Sequence, residues 1–364
     1  MPRHGHNRWL AALAVVCSFV TLVAGYGGWL APSRYGTLPA LMVLAYPIIA
    51  CLQLVVSVLL LMLGHRRAAL AAGLSLLATW PSLRANFPVN LRTCASDEGN
   101  HFSVMSYNVA SFDINAWTDT TVMHPAMQVV LKQNADMVIL LQPTNYGKGY
   151  DERKFIEPWL EEIDRCYPYR SHSRYDGVEL LSKYPFKTQP LSLPVHSYRY
   201  YPYVTRATNS YAFDIQLPEG RQLRLVAAYM TSFLLEDDER RVLDSVGYVS
   251  LGRLYAKLSR AFADRELQSK KLRDSLDLSP ANVIVCTDLN DVPQSFAYRT
   301  LMGHDMSDAY GQCHTGYVNT FNGHNMLFHI DHILYRGTMR ACNFERLKVP
   351  YSDHYPIVAT FKWQ

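Results

Sequence analysis

Three short polar segments near the C-terminal end of the chain combine the residue types that bind cations and transfer protons. They are Asp288-Leu289-Asn290, Ile330-Asp331-His332 and Ser352-Asp353-His354. Each segment adjoins an apolar, β-branched run, and such runs are typical of buried strands. Aspartate, asparagine and histidine side chains at strand ends can hold a hard divalent cation, activate water and stabilise a phosphate in its transition state. The sequence therefore predicts a site for phosphoester chemistry.

Alternating strand and helix patterns that would position these side chains begin near residue 101. The patterns predict the strands 102–107, 137–141, 178–182, 212–216, 223–229 and 282–286, and the helices 122–134, 155–166 and 237–278. A short turn at 218–220 joins two of the strands as a hairpin, which indicates mixed rather than purely parallel sheets. We therefore predict an α/β domain over residues 101–364.

Other polar stretches of this domain have ordinary structural interpretations. We predict that the basic side chains of the long helical stretch form one solvated helix face: Arg240, Arg241, Arg253, Arg260, Arg265, Lys270 and Lys271. Tyrosines and arginines are mixed over residues 198–206. We interpret that stretch as packing on its own domain, with base stacking or lipid contact as the alternatives.

The first quarter of the chain is far more apolar than the rest. Residues 9–29, 38–63 and 68–83 carry no charged side chain. A transmembrane helix needs roughly 20 apolar residues, so the first two segments qualify and the third is marginal. We predict an N-terminal bundle of about three transmembrane helices within residues 1–84, followed by a linker over 85–100. The alternative for the first segment is a signal peptide, but another long apolar segment follows it directly.

Charged residues around these segments predict their orientation. Arg3 and Arg8 precede the first segment. Arg66 and Arg67 separate the second from the third, whereas only Arg34 lies between the first two. By the positive-inside rule, the helix ends that are flanked by more basic residues face the cytoplasm. Three spans then place the following domain on the extracytoplasmic, periplasmic side of the cytoplasmic (inner) membrane. If the third segment does not span the bilayer, the domain lies in the cytoplasm instead.

Composition excludes some classes of partner and site. The net charge of +4 is too small to indicate nucleic-acid binding by itself. The seven cysteines form no Cys-x-x-Cys pair, which argues against a zinc site. A disulfide pair could exist among Cys94, Cys166, Cys313 and Cys342. No sequence feature indicates a protein partner.

The order and spacing of several motifs resemble those of the endonuclease/exonuclease/phosphatase superfamily, which has a DNase I-like fold. The resemblance covers residues 101–364 and rests on Ser106-Tyr107-Asn108-Val109, Ser182-Lys183-Tyr184-Pro185, Thr287-Asp288-Leu289-Asn290-Asp291, Thr320-Phe321, Ile330-Asp331-His332-Ile333 and Ser352-Asp353-His354-Tyr355-Pro356. It implies a four-layer α/β sandwich of two mixed β-sheets flanked by helices. Together with the N-terminal anchor, the chain looks like a membrane-anchored bacterial member.

The resemblance also implies an activity and the residues that perform it. Members hydrolyse phosphodiesters or phosphomonoesters by in-line attack of water, assisted by Mg²⁺ or Mn²⁺. Asp288 and Asn290 would lie at the phosphate and position or deprotonate the water. Asp331 would fix the tautomer of His354, which contacts the phosphoryl oxygens or transfers a proton. Tyr229 stands where many members carry a phosphate-contacting histidine, and apurinic endonucleases use a tyrosine at a comparable place.

The metal site that the resemblance implies is incomplete. Asn108 would touch the metal or the scissile phosphate, and Asp353 would bind or orient the metal. Members normally carry a metal-binding glutamate after the second strand, but here Gln142 or Pro143 stands there, depending on the alignment. A glutamine oxygen can still bind Mg²⁺ without formal charge, so we expect weak binding. Glu179 of a neighbouring strand could replace the missing carboxylate.

Two functions follow from these observations. The retained Asp, Asn and His side chains favour a metal-assisted phosphoester hydrolase that acts on phospholipid headgroups or nucleic acid. The dipeptide Gln142-Pro143 favours a catalytically impaired member that binds a phosphorylated ligand or a partner. Asn108 and Asp291 also have structural interpretations, as a turn residue and as a helix cap.

Overall fold

The computed structural model describes most of the chain as helices followed by a β-rich unit. The described residues are 3–90, 101–112, 121–143, 157–171, 177–194, 210–233, 248–323 and 328–364. The helices are α1 (Arg3–Tyr26), α2 (Pro32–Tyr35), α3 (Thr37–Leu44), α4 (Tyr46–Met62), α5 (Arg66–Ala78), α6 (Trp80–Asn86), α7 (Pro125–Gln133), α8 (Leu160–Cys166), α9 (Tyr248–Asp277), α10 (Phe296–Met302) and α11 (Ala309–Cys313). The strands are β1 (His101–Asn108), β2 (Met137–Leu141), β3 (Tyr169–Arg170), β4 (Val178–Ser182), β5 (Phe186–Leu191), β6 (Ser210–Gln216), β7 (Gln222–Tyr229), β8 (Val283–Asp288), β9 (Ser307–Asp308), β10 (Asp331–Arg336), β11 (Met339–Arg346) and β12 (Ile357–Trp363).

The strands form two sheets of six strands each. The first has the order β11-β12-β1-β2-β4-β3, and the second has the order β5-β6-β7-β8-β10-β9. The pairs β1/β2 and β7/β8 are parallel, whereas their neighbours on either side are antiparallel. Both sheets are therefore mixed, as the hairpin pattern predicts.

The two sheets pack face to face over a shared hydrophobic core. Ile139 of β2 and Ile284 of β8 are fully buried in that core. On the outer face of the first sheet, α7 and α8 cover a second cluster that includes Met127. On the outer face of the second sheet, α9 and α10 cover a third cluster that includes Leu272. The result is the predicted α/β sandwich of two mixed sheets flanked by helices.

Local sequence explains how α7 leads into the central strand β2. His124 caps the helix, because its Nδ1 atom accepts a hydrogen bond from the backbone N–H of Ala126 at 3.1 Å. Pro125 fits the first helical position, where no donor is needed. The helix ends at Asn134, whose φ of +51° is in the left-handed region that asparagine tolerates. The chain then enters β2, whose residues are all buried.

The N-terminal helices differ from the predicted bundle of three transmembrane helices. Among the described residues, one helical segment, Ala12–Trp29, is long and apolar enough to cross a membrane. Helices α3 and α4 pass the same test only as a pair, bent by 67°. The predicted third span divides at Thr79 into α5 and α6, and neither is long enough. Pro47 and Pro81 lie at the starts of α4 and α6, where proline interrupts a helix that would otherwise continue. Three spans are therefore unsupported.

The N-terminal helices contact the sandwich directly. Asn86 Nδ2 donates to Gln294 Oε1 at 2.6 Å, and Gln294 Nε2 donates to the carbonyl of Val43 at 3.1 Å. Residues 85–90, which the sequence places in a linker, are thus in contact with the domain that follows. Residues 91–100 of that linker lie outside the described residues.

The structure describes only some of the cysteines and basic residues that the sequence analysis singles out. Cys342 is disulfide-bonded, whereas Cys166 and Cys313 are free. The tyrosine- and arginine-rich stretch 198–206 lies outside the described residues, and so do Arg240 and Arg241.

Candidate active site

The end of β1 brings Asn108 to the centre of the site. β1 and β2 run in parallel with Asn108 opposite Leu141, so both strands end at the same edge. Asn108 Nδ2 donates to Gln142 Oε1 and to Asp288 Oδ2, both at 3.0 Å. Its Oδ1 atom accepts from the backbone N–H of Ala110 at 3.0 Å. In this arrangement Asn108 presents N–H groups to the site and an oxygen to the turn behind it.

Gln142 follows β2 in a left-handed conformation, with a φ of +50°. Its backbone N–H donates to the carbonyl of Gly177 at 2.7 Å, and its carbonyl accepts from the N–H of Ser111 at 2.8 Å. These bonds hold a conformation that is uncommon outside glycine and asparagine. The side chain therefore points its Oε1 atom at Asn108.

Glu179 does not replace the missing carboxylate. It pairs with Leu140 in the ladder between β2 and β4, and Leu140 faces the outer cluster under α7 and α8. Because side chains alternate across a strand, Glu179 is on the face opposite to Leu141 and the inter-sheet core. Its nearest cation is Arg170, at 3.7 Å. Burial raises the pKa of Glu179 to about 7, against the charge of Arg170.

The loop after β8 presents Asp288 and Asn290. Asp288 is fully buried at the end of the strand. Its Oδ1 atom accepts from the backbone N–H of Asn290 at 2.8 Å, which closes an Asx turn. The φ of Asn290 is +49°, and its Nδ2 atom donates to the carbonyl of Met230 at 2.9 Å. The loop after β8 is thus tied to the loop after β7.

Asp331 and His354 complete the buried polar centre. Asp331 begins β10 directly opposite Asp288 in the antiparallel ladder. Asp331 Oδ2 lies 2.9 Å from His354 Nδ1, and His354 Nε2 lies 3.8 Å from Asp288 Oδ2. One carboxylate therefore orients the imidazole ring, and the ring faces a second carboxylate.

Two hydroxyl groups support this pair in roles that the sequence does not reveal. Thr320 Oγ1 accepts from the backbone N–H groups of Ile330 and Asp331, both at 2.9 Å. Ser352 Oγ donates to the carbonyl of Asn108 at 2.7 Å and accepts from the N–H of His354 at 3.1 Å. Both residues belong to motifs that carry the family resemblance, but only the fold shows that their side chains fix the backbone of the site.

Burial and neighbouring charges shift the pKa values of Asp288 and His354 in directions that suit proton transfer. Burial raises the pKa of Asp288 to about 7, and the charge of Asp331 adds to this effect. Burial lowers the pKa of His354, but Asp331 and Asp288 together raise it more, to about 10. A carboxylate that titrates near neutrality can accept a proton, and an imidazolium can donate hydrogen bonds to an anion.

The chemistry of the nearby donors fits a hard divalent cation. Asp353 Oδ1 is buried and has no hydrogen-bond partner among the described residues. Gln142 contributes an amide oxygen to the same end of the sandwich. Asp288, Asp331 and His354 also have ligand atoms within 4.8 Å of one another. His354 Nδ1 is already bonded to Asp331, so we interpret that second group as the proton-handling part of the site.

Tyr229 ends β7 opposite Asp288 in the parallel ladder. Burial raises the pKa of the Tyr229 phenol, and the charge of Asp288 raises it further. The hydroxyl group therefore keeps its proton at neutral pH and can donate a hydrogen bond. All eight predicted site residues lie at this end of the sandwich: Asn108, Gln142, Tyr229, Asp288, Asn290, Asp331, Asp353 and His354.

Residues 105–354 match the Endonuclease/Exonuclease/phosphatase family, which is most of the chain and contains this whole site. The chain belongs to this family. Of the two residues that could stand at the glutamate position, the structure shows Gln142 in contact with Asn108. The side chain of Gln142 offers a neutral amide oxygen in place of a carboxylate.

Solved structures share the fold at low sequence identity. The human Nocturnin catalytic domain with bound sulfate matches with a TM-score of 0.50 and 16% identity, covering 76% of this chain and 96% of that chain. SmcL matches with a TM-score of 0.50 and 15% identity, covering 72% of this chain and 99% of that chain. An endonuclease/exonuclease/phosphatase from Beutenbergia cavernae DSM 12333 has a TM-score of 0.49 and 16% identity, covering 73% of this chain and 72% of that chain. No curated protein matches the sequence.

One residue that the sequence places on a solvated helix face lies instead against the loops of the candidate site. Arg265 of α9 is only 1% exposed, so the prediction that it belongs to a solvated helix face is wrong. Its guanidinium contacts the loops after β7 and β8 and the side chain of Asp291. The N-terminal helices and the loop around Phe233 cover this part of α9, and a local charge pattern contains no information about such distant contacts.

Proposed function

We propose that the protein is a membrane-anchored phosphoester hydrolase that uses Mg²⁺ or Mn²⁺. The observation that carries the proposal is the arrangement of His354, with Asp331 at 2.9 Å on one ring nitrogen and Asp288 at 3.8 Å from the other. A carboxylate-oriented imidazole beside a carboxylate with a pKa near 7 suits in-line attack of water on phosphorus. Membership of the family supports the same reaction class.

The roles of the protein groups follow from their positions. Asp288 accepts the proton of the attacking water. His354, held as an imidazolium by Asp331, donates a hydrogen bond to a phosphoryl oxygen. Asn290 positions the water, and the Tyr229 hydroxyl donates to the developing negative charge. Preorganised donors of this kind are typically the largest contribution to catalysis of charged transition states.

Gln142, Asp353 and Asn108 are the residues that would hold the cation. A bound divalent cation withdraws charge from the phosphate and lowers the pKa of a bound water. Asp353 contributes a charge, whereas Gln142 contributes a neutral oxygen, so weak binding is expected. Asn108 would contribute through its oxygen only if its amide were reversed, and its N–H groups equally suit the phosphate.

Exposed apolar side chains support the membrane anchor. Among the described residues, all but six of the exposed large hydrophobic side chains lie between Trp9 and Val89. Such a concentration of exposed apolar side chains in one quarter of the chain is expected for helices that contact a lipid bilayer. Gln53 of α4 donates to Ser18 of α1 at 3.2 Å and to Ser75 of α5 at 2.8 Å, as polar side chains do between membrane helices.

Two observations support an extracytoplasmic position for the sandwich. Val43, which contacts the sandwich, precedes α4, whereas Arg66 and Arg67 follow it. The 17 residues of α4 span about 26 Å, so these basic residues lie at the far end of the anchor, as the positive-inside rule requires for a cytoplasmic end. The disulfide at Cys342 is typical of proteins outside the cytoplasm.

The position of the catalytic loop favours a phospholipid headgroup over nucleic acid as the substrate. Gln294, which contacts the anchor, lies four residues after Asn290. Four residues span at most about 14 Å, so Asn290 lies close to the end of the anchor that meets the sandwich. A phosphoester in the adjacent bilayer surface is then within reach.

The test uses the full chain purified in detergent. Mg²⁺ and Mn²⁺ binding is measured by titration calorimetry, and turnover is measured with bis-p-nitrophenyl phosphate. We expect weak metal binding and a metal-dependent turnover that His354→Ala abolishes. Turnover that survives in His354→Ala would contradict the proposed site.

A second assay distinguishes the substrates. We expect hydrolysis of phospholipid vesicles that exceeds hydrolysis of an oligonucleotide under the same conditions. The reverse order, with a steep loss of nucleic-acid affinity as salt rises, would indicate a nuclease.

The second candidate function is a binding module for a phosphorylated ligand. The neutral Gln142 at the metal position favours it. It predicts no metal binding and no turnover in the natural sequence, but recovery of metal binding in Gln142→Glu.

A further inference from the structure

Helix α9 holds the two loops that follow the central strands of the second sheet. Arg265 Nη1 donates to the carbonyl of Asn290 at 2.7 Å and to the carbonyl of Thr231 at 3.3 Å. One turn further along, Gln268 Oε1 accepts from the backbone N–H of Thr231 at 3.0 Å, and Gln268 Nε2 donates to Thr231 Oγ1 at 2.9 Å. A single helical turn thus fixes the backbones that follow Tyr229 and Asp288.

The surroundings of Arg265 leave its guanidinium little freedom. It is 1% exposed, and its Nε atom lies 3.3 Å from Asp291 Oδ2. The ring centroids of Phe233 and Phe262 lie 4.2 and 4.6 Å from the Cζ atom of Arg265, respectively. Arginine is suited to such a position because its planar group can donate in several directions while stacking on aromatic rings. A lysine could keep the charge opposite Asp291 but could not reach all three acceptors.

The adjacent face of α9 is where the N-terminal helices dock. Glu266 accepts two hydrogen bonds from Ser33, from the backbone N–H to Oε2 and from Oγ to Oε1, both at 2.8 Å. Ser259 and Thr37 share a hydrogen bond of 2.6 Å between their hydroxyl groups. Because 259 and 266 are seven residues apart, they lie on the same face of the helix. Glu266 is nearly buried and directly follows Arg265 in sequence.

We propose that Arg265 is a positioning residue for the catalytic loop, and that docking of Ser33 on Glu266 holds the helix that carries it. The N-terminal helices are then part of the scaffold of the active site as well as its anchor. Arg265 acts through the backbone of Asn290, because its Nη1 atom holds the Asn290 carbonyl at 2.7 Å. This inference rests on the proposed hydrolase function for its kinetic readout only.

The first test compares Arg265→Lys with Arg265→Met in the full chain. We expect the melting temperature of Arg265→Lys to be only slightly below that of the unsubstituted chain, because a cation stays opposite Asp291. Its kcat should nevertheless fall by roughly 100-fold at unchanged KM, since displacement of a catalytic group by about 1 Å has that cost. Arg265→Met should lose both stability and kcat. A role in stability alone would instead lower the melting temperature of Arg265→Lys without lowering kcat.

The second test examines the contact with the anchor by hydrogen–deuterium exchange. The backbone N–H groups of Leu289, Asn290 and Val292 each have a hydrogen bond and report on the loop. We expect Glu266→Gln to accelerate their exchange by roughly tenfold, as local opening becomes easier.

Lys270→Met is the matched control for Glu266→Gln. It removes the other partner of Glu266, at 2.6 Å on the exposed side, without touching Ser33. We expect it to leave exchange in the loop at the wild-type rate.

Two results would overturn the proposal. One is wild-type loop exchange and wild-type kcat in Arg265→Lys. The other is equal exchange in Glu266→Gln and Lys270→Met, because the anchor contact would then have no separate effect. A natural protein without turnover would remove the proposed function, but the exchange rates would still decide whether Arg265 and Glu266 hold the loop.

Discussion

Asn108 Nδ2 lies 3.0 Å from Asp288 Oδ2, so a buried hydrogen bond joins the end of β1 in one sheet to the end of β8 in the other. The two residues are 180 positions apart in the chain. The bond lies at the end of the sandwich where the strands of both parallel pairs terminate, and it fixes the distance between the two sheets there. Side chains from either sheet can therefore meet one phosphate.

The neutral side chain of Gln142 makes a first prediction. Gln142→Glu adds a carboxylate next to the Asn108 amide, and a charged oxygen binds a hard cation better than a neutral one. We expect the dissociation constant for Mg²⁺ to fall by roughly tenfold or more, as measured by titration calorimetry. Glu179→Gln is the matched control, because that carboxyl faces Arg170 on the outer side of the sheet. We expect Glu179→Gln to leave the dissociation constant unchanged, and a loss of Mg²⁺ affinity in this control would mean that the cation binds elsewhere.

The pair of Asp331 and His354 makes a second prediction. Asp331→Asn keeps the shape of the partner but removes the charge that raises the pKa of the imidazole. We expect kcat to fall by roughly 10²–10⁴-fold, the usual contribution of a positioned acid or base. In the metal-free protein, NMR titration should show the His354 pKa moving down from about 10 toward the usual value. An unchanged imidazole titration would show that Asp331 does not control it.

The sequence predicts the sandwich well because its signals are local. Buried runs and turns define β2 and β4 at their observed bounds, and the structure brings His354 of the Ser-Asp-His motif next to Asp331. The failures concern long-range packing. Arg265 has the pattern of a solvated residue, but it is buried by contacts that come from distant parts of the chain.

The pKa of Asp288 makes a third prediction, on the pH dependence of turnover. Burial and Asp331 raise that pKa to about 7, so below pH 7 the group is mostly protonated and cannot accept a proton from water. We expect kcat to rise with pH and to level off above about pH 7. Raising the metal concentration should move the acid limb to lower pH, because a cation favours the carboxylate. A flat profile between pH 5 and 8 would exclude Asp288 as the base.

The orientation of the anchor makes a fourth prediction. Leu278 is 89% exposed on the sandwich, and His65 lies in the turn between α4 and α5 at the other end of the anchor. In intact cells, a membrane-impermeant maleimide should label Leu278→Cys and should reach His65→Cys only after lysis. The unsubstituted chain gives the background from Cys51. The opposite labelling pattern would contradict the proposed orientation and place the sandwich in the cytoplasm.

The capping histidine of α7 makes the last prediction, on acid stability. Burial lowers the pKa of His124 to about 4, whereas an unfolded histidine titrates near 6.5. Between these values the unfolded state binds more protons, so the contribution of neutral His124 is complete above pH 6.5 and is lost as the pH falls toward 4. His124→Asn keeps an oxygen acceptor for the N–H of Ala126 and removes the titrating group. We therefore expect its melting temperature to change less than that of the wild type from pH 7 to pH 4. Parallel curves for the two proteins, measured by circular dichroism, would show that other groups cause the acid transition.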